Sequence, residues 1–320
     1  MLGTLARLGL TRLTSFEGSL AGGVLWANFG GSLLMGILKS WDGSTSSLLN
    51  GDHKPLVGPK YTSQTDIPWF VGVTTGLYGS FTSFSSFIEV MFNLSAHKQI
   101  NGLYSYPNPG YGVMALIAYV ILTMAVSVGG YKAGSHIAKG LKELSVPVNK
   151  FEAVADVSIM VVGVAGWIVV LVLAIVMNHG SWRYWSLCCV FSPFGVYIRY
   201  LFSQWWNKVS KRFMVGTFAA NVFGTAIMSI LVLLQTGKSM SGAGPIVSHP
   251  VKCTVLSGLR DGLCGSLTTI STFAAECNNL RRLRDAYAYA LISIAVSYII
   301  MVLILGVYIW VHGSTAAVCQ

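Results

Sequence analysis

The sequence predicts an all-α membrane protein built from two repeated four-helix units, and three observations support this fold class. The 320 residues are 53% hydrophobic and 10% charged, whereas soluble domains carry about 25% charged residues. Apolar windows of membrane-spanning length recur along the chain. The two ends of the sequence also contain similar short motifs in the same order. We therefore expect a polytopic protein with an internal duplication.

Eight apolar windows have about the 20 residues that are needed to cross a hydrocarbon core, and a shorter window opens the chain. The windows are residues 1–11, 19–39, 68–92, 111–131, 155–178, 185–204, 214–235, 252–275 and 286–312. This pattern predicts nine membrane spans.

The basic residues predict the orientation of these spans. If there are nine, the loops on one side carry thirteen Lys and Arg residues, and the other side carries Arg12, Lys98, Arg183, Lys238 and Lys252. Cytoplasmic loops are enriched in Lys and Arg, so we expect the N-terminus inside the cell and the C-terminus outside. This distribution accounts for the formal net charge of +10, and we expect no nucleic-acid partner.

An internal repeat organises the chain. GLYGSFTSFSSF at 76–87 matches GLCGSLTTISTF at 262–273 in seven of twelve positions. Arg7 aligns with Arg199 and Asn28 with Asn221. The span at 155–178 has no counterpart, so we expect it to connect the units and to make the second enter the bilayer from the opposite side. The predicted divisions are 1–135 for the first unit, 136–184 for an amphipathic linker and the connecting helix, and 185–320 for the inverted second unit.

The repeated motif predicts a helix break in the third helix of each unit. Glycine weakens a helix by roughly 1 kcal/mol relative to alanine, and Gly76 and Gly79 precede a run of hydroxyls. Non-helical backbone at membrane depth survives only where protein buries it or water lines it, so we expect the two breaks to cross at the centre. The alternative is that these small residues serve only close helix packing.

Hydroxyl side chains form a ladder in the fourth helix of each unit. They recur at i, i+4 and i+8, which places each set on one helix face; the sets are Tyr119, Thr123 and Ser127, and Tyr289, Ser293 and Ser297. Such a ladder could line a pore or could bond helices together.

Donor groups within the spans favour an anion as the ligand. Asn28 and Asn221 place amide groups in mid-span, and Arg7 and Arg199 would raise the local anion concentration at a water-filled vestibule. The positive edges of Phe84, Phe87 and Phe273 could contact a small anion. The alternatives are packing hydrogen bonds for the amides, snorkelling for the arginines and ordinary core for the rings.

Taken together, these motifs resemble the fluoride exporter (Fluc/FEX) family in both halves of the chain. They are Asn-x-x-Gly in the second helix, Gly-x-x-Gly-x-x-Thr-x-Phe-Ser-x-Phe in the third and the Tyr-x-x-x-Ser/Thr ladder in the fourth. The resemblance implies a passive, fluoride-selective channel in the plasma membrane, with a single chain acting as a pseudo-dimer in the lipid bilayer.

The resemblance also implies roles for individual residues. Ring contacts to fluoride come from Phe84, Phe87 and Phe273, while Ile270 stands where the second unit should have a ring. We therefore expect the pathway that combines Phe84 with Phe273 to conduct and the other to be degraded. A structural sodium ion would be held by the carbonyls of Gly79, Thr82, Gly265 and Thr268.

Two rival functions remain at this point. A proton-coupled antiporter would need a titrating carboxylate in the path, for which Asp261 is the main candidate. A membrane scaffold would use the polar stripes only for packing. No enzymatic acid/base pair, nucleophile or required cofactor is indicated, and the six cysteines lack metal-ligand spacing, so we expect them to be packing residues. Arg260 and Asp261 are neighbours that we expect to point in different directions.

Overall fold

The computed structural model describes residues 1–16, 19, 22–41, 63–96, 107–141, 152–177, 180–240, 242 and 244–319. In these ranges the chain is helical apart from short connections and isolated β-bridges. Most of the predicted linker, and the loop lysines Lys54, Lys60, Lys98, Lys142 and Lys150, lie outside the described residues.

The described part of the first half contains five helices besides the short 3-10 turn Gln64–Asp66. They are α1 (Leu2–Thr14), α2 (Leu25–Ser40), α3 (residues 68–81), α4 (Phe84–Ser95) and α5 (Pro109–Gly140). Helix α3 begins with Pro68–Val71, continues as a π-helix over Gly72–Tyr78 and ends with the turn Gly79–Phe81.

The second half repeats this order after a peripheral helix. The elements are α6 (Glu152–Val176), α7 (Gly180–Trp206), α8 (Val215–Thr236), α9 (residues 250–267), α10 (Ser271–Asn279) and α11 (Leu283–His312). Helix α9 likewise contains a π-helical stretch, Leu259–Cys264, before its last turn. The predicted division points at 135 and 184 fall within α5 and α7, and the division into domains stays a prediction.

Both halves leave the helical conformation where the sequence predicts a break. Thr82 and Ser83 are extended, with φ, ψ of −101°, 155° and −144°, 122°. Thr268 is extended in the same way, with φ −90° and ψ 154°. Each break therefore divides one long apolar segment into two shorter helices.

The two broken helices meet in the interior and exchange packing partners. Helix α4 packs on α5 of its own half and on α8 and α11 of the other, and α10 packs on α2 and α5. The main hydrophobic core surrounds this meeting point and includes Phe84, Phe87, Ile270 and Phe273. The crossing therefore joins the two halves through their cores.

Close backbone approach explains one matching pair of glycines. A Cβ atom on Gly3 would lie 2.1 Å from the carbonyl oxygen of Leu77, and one on Gly195 would lie 2.3 Å from that of Leu263. Both distances are too short for any side chain, so at these two points of contact between the first helix of each half and its broken helix only glycine fits.

Five of the described helices are long and apolar enough to cross a membrane. These are Pro109–Gly140, Ser158–Val176, Ser181–Trp206, Val215–Thr236 and Leu283–His312. The second of them is mostly exposed, and its Trp167 donates a hydrogen bond to the carbonyl of Val190 in α7 (3.1 Å). The chain is thus an all-helical integral membrane protein with one peripheral helix.

Candidate functional site: the crossing of two broken helices

Reciprocal hydroxyl caps hold the crossing together. The Oγ1 atom of Thr82 accepts hydrogen bonds from the backbone N–H groups of Ile270 and Ser271, both at 3.1 Å. Conversely, Thr268 Oγ1 accepts from the backbone N–H of Ser85 at 3.0 Å. The first N–H groups of a helix have no partner within the helix, so each half satisfies those of the other. These threonines were expected to contribute their carbonyls, and the role of their hydroxyls was not predicted.

The two asparagines bind the backbone of the breaks. Asn28 Oδ1 accepts from the N–H of Ser83 at 2.9 Å, and Asn221 Oδ1 accepts from the N–H of Thr269 at 2.9 Å. Asn221 Nδ2 also donates to the carbonyl of Thr269 at 3.2 Å. This pairing matches the alternative of a packing hydrogen bond, and contact of either amide with a permeating anion stays a prediction.

The two arginines lie at the crossing and not at an open vestibule. Arg7 and Arg199 are each only 2% exposed. Arg7 donates to the carbonyl of Ser80 at 2.8 Å, and Arg199 donates to that of Gly79 at 2.9 Å. This placement differs from the predicted vestibule role and from snorkelling, because the guanidinium groups are enclosed by backbone carbonyls.

A cluster of aromatic rings surrounds the crossing. The rings of Phe84 and Phe273 meet edge to face, with centroids 5.4 Å apart and planes at 71°. Phe84 also contacts Phe87, with centroids 5.7 Å apart. Ile270, which aligns with Phe84, is fully buried. The predicted ring residues therefore come together, and only the first half has an aromatic ring at both positions of the motif.

Each ring cluster continues into a hydroxyl ladder. The centroids of Phe87 and Tyr119 are 5.8 Å apart, and those of Phe273 and Tyr289 are 5.0 Å apart. The structure thus places the second ring of each motif beside the tyrosine of its own half.

The ladders contain buried hydroxyls without ordinary hydrogen bonds. The hydroxyls of Ser127 and Ser297 have no partner among the described residues. Those of Tyr119 and Thr123 are neighbours, but no hydrogen bond of normal geometry joins them. A buried donor that lacks an acceptor costs about 1–3 kcal/mol, so these positions suit a ligand that accepts hydrogen bonds.

The second ladder is partly occupied by an acidic side chain. Glu276 accepts hydrogen bonds from the hydroxyls of Tyr289 and Thr217, both at 2.7 Å. Ser293 donates to the carbonyl of Tyr289 at 2.7 Å. The repeat predicted no role for Glu276, because the aligned residue in the first half, Val90, is not acidic.

Arg260 and Asp261 pair with each other, so the prediction that they point apart is wrong. The guanidinium of Arg260 donates to both carboxylate oxygens of Asp261, at 3.2 and 3.1 Å. It also lies 3.8 Å from Glu89 of the first half, and Tyr184 donates to Asp261 at 2.7 Å. Both residues lie in the π-helical stretch Leu259–Cys264, whereas the prediction assumed a regular helix.

Three of the four carbonyls expected to hold sodium are bound by arginine side chains. The carbonyl of Gly79 accepts from Arg199, that of Thr268 accepts from Arg199 at 3.2 Å, and that of Gly265 accepts from Arg7. Two guanidinium charges at the same place oppose a further cation. The arrangement therefore does not fit a sodium site.

Two of the six cysteines form a disulfide, so the prediction that the cysteines are packing residues is wrong for this pair. Cys253 at the start of α9 is bonded to Cys319 near the C-terminus, with Cα atoms 5.6 Å apart. The chain folds back through the bridges Gly237–Ser314 and Lys238–Pro245, which bring together cysteines 66 residues apart.

These features define an integral membrane protein whose two halves meet at crossed, broken helices lined by rings and unpaired hydroxyls. The model of the family "CrcB-like protein, Camphor Resistance (CrcB)" matches residues 1–134 and 186–307. The chain belongs to this family. The match confirms the family assignment predicted from the repeated motifs.

Several curated proteins are similar to the chain. Fluoride export protein 1 of Candida albicans is 36% identical over 97% of this chain and 78% of its own length. Fluoride export protein 1 of Saccharomyces cerevisiae is 30% identical over the whole chain and 93% of its own length. The fluoride-specific ion channel FluC of Geotalea daltonii is 31% identical over 40% of this chain and 91% of its own length. No solved structure matches the chain.

Proposed function

We propose that this protein is a passive, fluoride-selective channel that exports fluoride from the cell. The similar proteins named as fluoride exporters and as a fluoride-specific channel support this substrate. The observation that carries the proposal is the presence of buried hydroxyls without an ordinary hydrogen bond among the described residues in both ladders: Tyr119, Thr123 and Ser127 in the first, and Ser297, on the ladder of Tyr289, in the second. Fluoride is a small, strongly hydrated anion, so several weak donors in sequence can replace its water without trapping it.

The ring cluster would provide the narrow part of the path. The edge of an aromatic ring is positive and can contact an anion that has lost water. Phe84 and Phe273, with centroids 5.4 Å apart, bring such edges together beside Tyr289. We therefore place the conducting path at this pair, and Ile270 leaves the equivalent path of the other side without its first ring.

Passive flow is sufficient for export. Fluoride enters a cell as neutral HF from acidic surroundings and is trapped as an anion at the higher internal pH. A membrane potential that is negative inside drives an anion outward by about 2.3 kcal/mol per charge per 100 mV. No coupled ion or energy source is needed.

The proposed topology is nine spans in two inverted four-span units joined by α6, so that one chain acts as a pseudo-dimer. The recurrence of the same cap and glycine contacts in both halves supports it. We place the N-terminus in the cytoplasm and the protein in the plasma membrane. The Cys253–Cys319 disulfide supports an extracellular C-terminus, because disulfides persist in oxidising environments.

Reconstituted protein tests the function directly. Liposomes loaded with potassium fluoride should release fluoride only when valinomycin lets potassium leave, since a passive channel moves net charge. Phe273→Ala should strongly reduce this efflux. The matched control is Phe194→Ala, because Phe194 is 49% exposed on α7. Efflux that does not depend on the membrane potential, or equal efflux from both variants, would contradict the proposal.

The antiporter alternative has little support in the geometry. The Asp261 carboxylate is engaged by Arg260 and by the hydroxyl of Tyr184, so it is held in an ion pair. Its backbone carbonyl is also bound by Arg7.

A further inference from the structure

The arginine of the first half binds the broken helix of the second. The guanidinium of Arg7, in α1, donates to the carbonyls of Asp261 and Gly265 in α9. It donates once within its own half, to the carbonyl of Ser80. One buried side chain thus joins both breaks.

The arginine of the second half does the reverse. The guanidinium of Arg199, in α7, donates to the carbonyls of Thr75 and Gly79 in α3. It also donates to the carbonyl of Thr268 in its own half, at 3.2 Å. Because the repeat aligns 75 with 261 and 79 with 265, both arginines bind the same two positions of the opposite half.

The glycines at these positions make room for the guanidinium groups. A Cβ atom on Gly79 would lie 2.3 Å from a nitrogen of Arg199, and one on Gly265 would lie 2.3 Å from a nitrogen of Arg7. In contrast, a Cβ on Gly76 would meet nothing within 4 Å. The arginine thus accounts for the second glycine of the motif and not for the first.

The electrostatics explain why a buried cation is tolerated here. The last carbonyls of a helix have no partner within the helix and carry partial negative charge, and each break creates such an end in the interior. A guanidinium has five N–H donors in a fixed plane, so one side chain can satisfy several carbonyls. Burying the charge is costly without such partners.

We propose that Arg7 and Arg199 are positioning residues that form a crossed clamp, in which the arginine of each half fixes the broken helix of the other. Their guanidinium groups occupy the place where a structural sodium ion was expected. The clamp orients the helices that carry Phe84 and Phe273 without contacting the path. The clamp holds the crossing together whichever ion passes through the protein.

Double-mutant cycles test the crossed pattern. We expect Gly79→Ala to lower the thermal unfolding midpoint of the full-length protein in detergent by about 5 °C. This loss should shrink when combined with Arg199→Gln and persist when combined with Arg7→Gln. Gly265→Ala should show the opposite preference, and Gly76→Ala should cause no loss. Coupling within the same half, equal coupling to both arginines, or no coupling would overturn the proposal.

Two further arms keep the test decisive. If the glutamine variants do not fold, Arg7→Lys and Arg199→Lys serve in the same cycles, because an ammonium is smaller and needs less of the space beside the glycines. If none folds, the comparison of Gly79→Ala with Gly76→Ala remains, and equal effects would refute the clamp. For the wild type, replacing sodium with N-methylglucamine should leave the midpoint unchanged; a lower midpoint without sodium would refute the substitution of arginine for the ion.

Discussion

Thr82→Val tests the reciprocal caps most sharply, because valine keeps the shape of threonine and replaces its hydroxyl with a methyl group. In the wild type, Thr82 Oγ1 accepts from the N–H groups of Ile270 and Ser271 across the crossing. Thr82 is fully buried, so no water replaces the lost oxygen. Both N–H groups would lose this acceptor at the start of α10.

The loss of stability follows from the two buried N–H groups that lose their acceptor. A buried donor without a partner costs about 1–3 kcal/mol, and the two share one acceptor, so we expect a loss of roughly 2–4 kcal/mol in the free energy of unfolding. For a chain of this size that corresponds to a decrease of about 4–8 °C in the unfolding midpoint.

Thermal unfolding of the purified protein measures this decrease. Thr254→Val is the matched control, because Thr254 is only partly buried and its hydroxyl donates to the carbonyl of Pro250 in its own helix. Thr268→Val should resemble Thr82→Val, since its Oγ1 accepts from the N–H of Ser85. If Thr82→Val is as stable as Thr254→Val, the caps do not hold the crossing.

Three further predictions concern the path and the topology. Ser297→Ala should leave stability unchanged, because the hydroxyl has no partner among the described residues, but should slow fluoride efflux; Ser229→Ala, whose hydroxyl donates to the carbonyl of Thr225, is the control, and unchanged efflux would remove Ser297 from the path. Asp261→Asn should retain potential-driven efflux even if its stability falls, whereas abolished efflux with intact expression would favour the antiporter. In intact cells, a membrane-impermeant maleimide should label the protein only after external reduction of the Cys253–Cys319 bond, and the Cys253→Ser/Cys319→Ser double variant should not be labelled; labelling that requires permeabilised cells would place the C-terminus inside.

Much of the crossing could be predicted from the repeat. The alignment of 76–87 with 262–273 located both breaks, and the spacing of Phe84 and Phe87 predicted that rings would gather there. These features are local, so a single sequence contains them.

The partners of the polar residues could not be predicted, because they depend on which helices meet. Asn28 and Arg7 are both polar groups in apolar spans, yet one binds the break of its own half and the other binds the opposite half. The Cys253–Cys319 bridge joins residues 66 positions apart through a fold-back of the C-terminal tail. The aligned threonines offered one missed signal, since hydroxyl residues near a helix start often cap backbone N–H groups, although here they cap the helix of the opposite half.

The central claim is that the crossing conducts fluoride selectively, and a side-by-side efflux assay with fluoride and chloride tests it most directly. Liposomes that contain the protein and both potassium salts would be given the same valinomycin-driven potential. The account predicts rapid fluoride release while chloride is retained over the same time. Equal release of both anions, or release of neither from protein that is folded and inserted, would contradict it.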